Sequence, residues 1–320
     1  MPQEEIQKMK VIFMGTPDFA VGTLEALIEA GHEVACVVTK TDRPVGRKQI
    51  LTPSPVKICA LEHGIPVLQP ARVKGNSEFY EELKKIAPDV IVVAAYGKII
   101  SKEILTLPRY GCLNVHASLL PKYRGAAPIQ WAVINGEEKS GVTIMQMNEG
   151  LDTGDILAVR EVPLDPEETG GSLFDRLSKE GAGLLTETLP RLERGEIRPV
   201  PQPEKSPTAY ARMIRKEDGR IDWTKDAVSL ERLVRGMNPW PSAFTSMEGR
   251  NLKIWSAAAD PSVSEETPGT VLSADEGGIA VQTGGGVLMV RELQLEGKKR
   301  MKAADFLRGH SIGRGAVLGT

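Results

Sequence analysis

The run Val90-Ile91-Val92-Val93-Ala94-Ala95 constrains this chain most, because six consecutive apolar residues leave no wet face on a strand. A strand of this kind is covered on both sides, which points to a parallel sheet with helices on its two faces. Further strand candidates lie at Val11–Met14, Glu33–Thr39, Cys112–His116 and Val142–Met147. Stretches with helical spacing fall between them, at Ser54–His63, Ser77–Ile86 and Ala126–Ile134, and a last helix is expected over Ser172–Arg194. This alternation predicts an α/β fold built on a doubly wound, mostly parallel sheet, Rossmann-like in outline.

After that helix the chain changes character. Pro199, Pro201, Pro203 and Pro207 favour an extended linker. Beyond about Tyr210, β-rich runs at Ala243–Met247, Leu252–Ala257, Thr270–Leu272, Ile279–Thr283 and Val287–Leu293 are separated by glycine turns and predict a small β-barrel. A length of 320 residues is enough for two cores. The expected boundaries are 1–198 for the first domain, 199–210 for the linker and 211–320 for the second domain.

Net charge is −2, and it is unevenly spread: residues 1–210 carry 24 Lys and Arg against 28 Asp and Glu, residues 211–320 carry 16 against 14. The second domain is therefore mildly basic, and only local clusters can make that functional. Cys36, Cys59 and Cys112 lie far apart in no metal-binding spacing, which fits buried, reduced thiols. No apolar run approaches the roughly 20 residues of a bilayer span. Met1–Lys10 lacks the apolar core of a signal peptide, and Met9 would serve as an alternative start. A cytoplasmic protein with no membrane partner is the expectation.

The turn Gly15-Thr16-Pro17-Asp18-Phe19-Ala20 follows a strand and opens a helix, where phosphate-binding loops usually lie. It lacks the later glycines of GxGxxG, so a dinucleotide site is disfavoured. It reads either as a helix start with Pro17 in its first turn or as a wall of a substrate site.

More informative is Gly111-Cys112-Leu113-Asn114-Val115-His116-Ala117-Ser118-Leu119-Leu120-Pro121, a buried strand that ends in polar groups before a proline-bounded loop. A period of two puts Asn114 and His116 on one face, and strand ends of an open α/β sheet line the ligand crevice. An amide and an imidazole there can grip a carbonyl and exchange a proton, although such pairs are more often satisfied inside a core. A second segment, Met147-Asn148-Glu149-Gly150-Leu151-Asp152-Thr153-Gly154-Asp155, sets carboxylates in a glycine-hinged loop after another strand. One of them can orient His116 and sit against its charged form, or the loop is an ordinary solvated turn.

These two segments, in this order, resemble the signature of the folate-dependent formyltransferases. The likeness extends to Gly15–Ala20, to Asp42-Arg43-Pro44-Val45-Gly46-Arg47, to Pro53-Ser54-Pro55-Val56-Lys57 and to His116–Pro128, and through these to members that act on aminoacylated tRNA. The resemblance implies formyl transfer from 10-formyltetrahydrofolate to the α-amine of methionyl initiator tRNA, giving N-formylmethionyl-tRNA for translation initiation. It makes Asn114, His116 and Asp152 the catalytic residues and Ser118, Leu119, Leu120 and Pro121 the folate contacts. The residue types suit this chemistry, since an amide and a protonated imidazole can stabilise charge on the formyl oxygen, and an imidazole titrates near neutral pH. No metal is expected, because the formyl carbonyl is already reactive and no His, Cys or carboxylate cluster has ligand spacing.

Thr41–Thr52 carries Arg43, Arg47 and Lys48 beside Pro44 and Gly46. By charge alone this is a solvated surface loop. The resemblance makes it the loop that enters the acceptor stem, with Arg47 reading the terminal base pair and Lys48 on phosphate. In the second domain Lys298, Lys299 and Arg300 begin the densest basic run, followed by Arg308, His310 and Arg314. The resemblance implies an OB-like barrel that touches tRNA through such a rim, with Arg212, Arg215 and Lys216 extending it, in a protein expected to be a monomer. The rival readings are a formyltransferase for a small amine, a nucleotide-binding oxidoreductase and a non-catalytic RNA-binding module. The missing GxGxxG weighs against the second, and the polar trio against the third.

Overall fold

In a computed structural model of the protein, residues 8–46, 49–262 and 264–319 are described. The chain divides by contact into two units: residues up to Pro128 with Lys139–Pro163 and Phe174–Ala211, and Ile129–Glu138 with Leu164–Leu173 and Arg212–Thr320.

The first unit holds β1 (Lys10–Gly15), α1 (Val21–Glu29), β2 (Glu33–Val38), a hairpin of β3 (Arg43–Val45) and β4 (Ile50–Thr52), and α2 (Pro55–Glu62). It continues through β5 (Val67–Leu68), α3 (Ser77–Ile86), β6 (Val90–Ala94), α4 (Lys102–Leu105) and β7 (Cys112–His116). After α5 (Pro128–Ile134) come β8 (Lys139–Gln146), β9 (Asp155–Pro163) and α6 (Gly170–Glu193). Local signals set several of these bounds. The Ser54 hydroxyl accepts from Lys57 N at 3.1 Å and starts α2, and the Asn76 side chain accepts from Phe79 N at 3.1 Å and starts α3.

Seven strands form one sheet in the order β5-β2-β1-β6-β7-β8-β9. Pairing is parallel from β5 to β7 and antiparallel at β8 and β9. The winding reverses between β1 and β6, and there the Thr16 hydroxyl donates to the Tyr96 carbonyl at 3.3 Å. On one face Ile12, Met14, Cys36, Ile91, Val93 and Cys112 pack with Phe79 and Leu83 of α3 and Ile104 of α4. On the other, a Cβ built at Gly181 of α6 would meet Val115 at 2.7 Å, so α6 lies against β7 there. Alternation along β7 therefore sends Asn114 and His116 to the face that carries α3 and α4.

The mostly parallel expectation holds through β7 and changes at β8. That strand runs antiparallel to β7, with His116 opposite Thr143 and Leu113 opposite Gln146. Met147 N donates to Cys112 O at 2.8 Å. The loop after β8 thus starts beside the opening residue of β7, a strand's length from His116.

The second unit contains α7 (Ala227–Gly236), β10 (Ala243–Met247), β11 (Arg250–Asp260), β12 (Val271–Asp275), β13 (Gly278–Gln282), β14 (Val287–Leu295), β15 (Met301–Lys302) and α8 (Ala303–Leu307). The β-rich expectation is met by a six-stranded antiparallel sheet, ordered β10-β11-β14-β13-β12 with β15 on β14. One core of Trp223, Ile254, Val281, Leu288, Leu293 and Phe306 includes Leu230 and Val234 of α7. The reading of β structure alone beyond Tyr210 missed α7, although Asp226 caps it by accepting from Ser229 N at 2.8 Å. Among the described residues no helix is long and apolar enough to cross a membrane.

Candidate active site

His116 closes β7 and is 6% exposed. Its Nε2 lies 3.1 Å from the Tyr123 carbonyl, which can only accept, so Nε2 carries the proton of that bond. Nδ1 is then the nitrogen free to gain or lose a proton, and it stands 3.9 Å from Asp152 Oδ1. Asn114, two residues earlier on the same face, is half-buried, and among the described residues its amide has no partner. Of the three residues singled out in the sequence, His116 and Asp152 therefore come together, and Asn114 shares the face of β7 that carries His116.

The loop after β7 is built for this. Thr143 on β8 is fully buried and serves two of its backbone groups, donating to Ser118 O at 2.7 Å and accepting from Leu120 N at 3.1 Å. The Ser118 hydroxyl donates to Lys122 O at 2.7 Å. Ser118 and Leu120 are buried within the turn, while Leu119 and Pro121 are half-buried. Tyr123, whose carbonyl holds His116, has φ 56°, a left-handed conformation rare for a bulky residue. Thr208 Oγ1 accepts from Tyr123 N at 2.7 Å and helps to keep it there.

Asp152 also has a positive φ, 54°, which a short polar side chain tolerates better than most. Its Oδ2 accepts from Gly125 N at 2.9 Å, so the carboxylate is tethered to the loop that follows His116. Glycine is needed in each of the two loops this contact joins. Gly125 has φ 131° and a Cβ there would sit 2.4 Å from Ala211 O, while a Cβ on Gly154 would sit 1.8 Å from Gln146 O. Asn148 ties the loop internally, accepting from Gly150 N and from the Thr153 hydroxyl, each at 2.9 Å. Sequence reasoning missed Tyr123, Thr143, Gly125 and the residues that reach the site from 199–210, since each either acts through a backbone group or bonds to the backbone of a segment distant in sequence, and neither leaves a local pattern.

Of the expected tRNA contacts, Arg43 is exposed on β3, and Arg47 and Lys48 lie outside the described residues. The base of that hairpin is pinned. Lys57 Nζ donates to both Asp42 oxygens at 2.9 and 2.7 Å, Gln69 Nε2 donates to Oδ1 at 2.8 Å, and the Lys57 bond foremost holds the Asp42 carboxyl below its ordinary range. Lys40 and Lys98 are both held below the ordinary lysine value, first by burial and then by the charge of Arg43. A group of cations thus gathers around the hairpin. Lys298 and Lys299 are exposed, whereas Arg300 is committed: its Nε donates to Glu292 at 2.9 Å and its guanidinium lies 4.9 Å from the centroid of the Trp255 ring. Arg212 is likewise bound by Asp218 through two bonds of 2.7 Å.

A model of the formyl transferase family matches residues 8–189, and a model of the formyl transferase C-terminal domain matches residues 213–311. A methionyl-tRNA formyltransferase of Lachnospira eligens is 56% identical over 316 residues, covering 97% of this chain and 100% of its own. The chain belongs to the methionyl-tRNA formyltransferase family. Solved structures are similar in fold at lower identity. An N-formyltransferase of Helicobacter canadensis, in complex with folinic acid and dTDP-3-aminofucose, is 19% identical with a TM-score of 0.65, over 88% of this chain and 98% of its own. HypX from Aquifex aeolicus, in complex with tetrahydrofolic acid, is 20% identical with a TM-score of 0.63, over 97% of this chain and 51% of its own. The two formyl transferase models leave between them the interval after residue 189 and before residue 213, which holds the proline-rich segment.

Proposed function

We propose that this chain transfers the formyl group of 10-formyltetrahydrofolate to the free α-amine of methionyl initiator tRNA, giving N-formylmethionyl-tRNA for translation initiation. The observation that carries the reading is the approach of His116 Nδ1 to the Asp152 carboxylate, 3.9 Å, with Asn114 on the same face of β7 as His116. The Lachnospira relative, named for this substrate and 56% identical over nearly the whole chain, supports tRNA over a small amine.

The folate supplies the formyl carbon, and the Asn114 amide, which has no partner among the described residues, suits an acceptor such as the formyl oxygen. As the amine adds, charge grows on that oxygen and the Asn114 amide donates to it. His116 accepts the amine proton at Nδ1 and returns a proton to the departing folate nitrogen. A C–N bond to methionine forms as a C–N bond to folate breaks, and the imidazole ends as it began. Asp152 offsets the imidazolium charge between the two transfers. Ser118, Leu119, Leu120 and Pro121 frame the folate, with Leu119 and Pro121 as its apolar wall.

Arg43, Arg47 and Lys48 contact the acceptor end, where Lys40 and Lys98 add positive charge, and Lys298, Lys299 and Arg300 contact tRNA elsewhere. The functional division follows 1–198 for catalysis, 199–210 for the linker and 211–320 for tRNA contact, in a cytoplasmic monomer.

The test is an assay of the purified protein with 10-formyltetrahydrofolate, offering methionyl-tRNA beside an amino-sugar nucleotide and glycinamide ribonucleotide. Formylation of methionyl-tRNA alone is expected, with near-complete loss in His116→Ala and Asp152→Asn. Preference for a small amine would overturn the substrate assignment, and near wild-type turnover in both variants would overturn the site.

A further inference from the structure

The proline-rich segment does not hang free of the first unit. Val200 pairs with Ile156 through two backbone bonds of 2.8 and 2.9 Å. Gln202 Nε2 donates to Asp152 O at 3.0 Å and to Gly154 O at 2.7 Å, while its Oε1 accepts from Arg124 Nε at 3.0 Å and Nη2 at 2.9 Å. Further on, the Ser206 hydroxyl donates to Pro121 O at 2.7 Å and Ala211 N donates to Arg124 O at 2.8 Å. One extended stretch therefore binds the loop that carries Asp152 and the loop that follows His116. Gln202 bridges the two through both halves of its side-chain amide.

Arg124 completes the clamp. It is 8% exposed, and its remaining bonds go to Glu204 O at 3.0 Å and Pro203 O at 2.7 Å. Among the described residues it has no carboxylate partner. Its guanidinium thus fastens backbone and amide oxygens of the segment, with no anion competing for it.

The need for such a clamp follows from the sheet. Asp152 is not delivered by a strand end on the side of His116, because the loop after β8 begins beside Cys112 and has to turn back along β7. Its backbone is left-handed at Asp152, and among the described residues the one hydrogen bond to its carboxylate comes from Gly125 N. A position reached in this way is as good as its anchors.

We propose that Gln202 is a positioning residue for Asp152: it fixes the carbonyls of residues 152 and 154 against Arg124, and so sets the distance between the carboxylate and His116. The proposal rests on the catalytic reading of Asp152. It extends that reading to a segment covered by neither of the two family models. The donor half of the amide carries the effect, and the acceptor half holds the amide in its orientation.

Three variants and one double variant test it, with kcat and the KM for each substrate measured across pH. Gln202→Leu keeps volume and removes both halves; kcat is expected to fall on the order of 10- to 100-fold, as for a modest misplacement of a catalytic group. Both KM values should stay within about twofold, because no substrate contact is lost. Gln202→Glu keeps the acceptor for Arg124 but has no donor for the two carbonyls, so it is expected to be no better than Gln202→Leu. In Asp152→Asn the further change Gln202→Leu should cost little, since the group it positions is already disabled. Wild-type turnover in Gln202→Glu, multiplicative losses in the double variant, or a rise in KM without a fall in kcat would each overturn the proposal. Full turnover in Asp152→Asn alone would instead remove the catalytic reading beneath it.

Discussion

The Tyr123 carbonyl decides which nitrogen of His116 faces the site without a proton, because a hydrogen bond of 3.1 Å to a pure acceptor keeps the proton on Nε2. Asn114 contributes differently, as a donor with no partner among the described residues, so Asn114→Ala should lower kcat about 10²- to 10³-fold with little change in folding stability. Thr143→Val gives the opposite pattern. It strips Leu120 N of its acceptor and Ser118 O of its donor in a fully buried setting, and each orphaned group costs about 1–3 kcal/mol. Urea unfolding checks the loss, and KM for the folate should rise with it. The thiols supply a test of the core. Burial pushes Cys36 and Cys112 up to about 12, and Cys59 is raised as well. The native protein should resist thiol reagents at pH 8 and react fully in urea. Between the ordinary thiol value of 9.0 and about 12, the unfolded chain loses protons that the folded chain keeps, so the Tm should fall as pH rises through that window. Asn114 and His116 could be read from the sequence because period-two geometry on a buried strand is local. Tyr123 and Gly125 could not, since their part is played by a carbonyl that every residue possesses and an N–H that every residue but proline possesses.

At the scale of elements, the legible parts were those with one pattern from end to end. The apolar run at Val90 became β6, and Ser77–Ile86 became α3 at the same bounds, capped by Asn76. The β3–β4 hairpin and β5 went unread because strands of two or three residues fall below any periodicity. The direction of β8 went unread for another reason: strand composition does not state which way a neighbour runs. That direction governs how Asp152 arrives. Shortening the loop after β8 by deleting Gly150, where Asn148 Oδ1 receives its 2.9 Å bond, should leave the sheet folded and lower kcat more than either KM. Circular dichroism and turnover, read together, check this. The barrel expected beyond Tyr210 is an antiparallel sheet, and α7 escaped notice because turn-rich β sequence surrounds a helix of ten residues.

For the whole molecule, the charges that stand apart from protein partners matter more than their number. Lys298 and Lys299 are exposed, while the Arg300 guanidinium already faces Glu292. Replacing both lysines by alanine should flatten the slope of log affinity for tRNA against log salt by about one to two units, whereas Arg300→Ala should change it less. Binding isotherms at several salt concentrations would separate the two. The prolines of residues 199–207 have a consequence for the sheet's last strand. β9 ends the strand order, and a bare edge of that kind invites pairing with a foreign chain. Val200 satisfies Ile156 at the start of that edge, and Pro199 and Pro201 on either side of it have no N–H with which to lengthen the ladder. The same segment that braces the chemistry therefore also caps the opening residues of that edge.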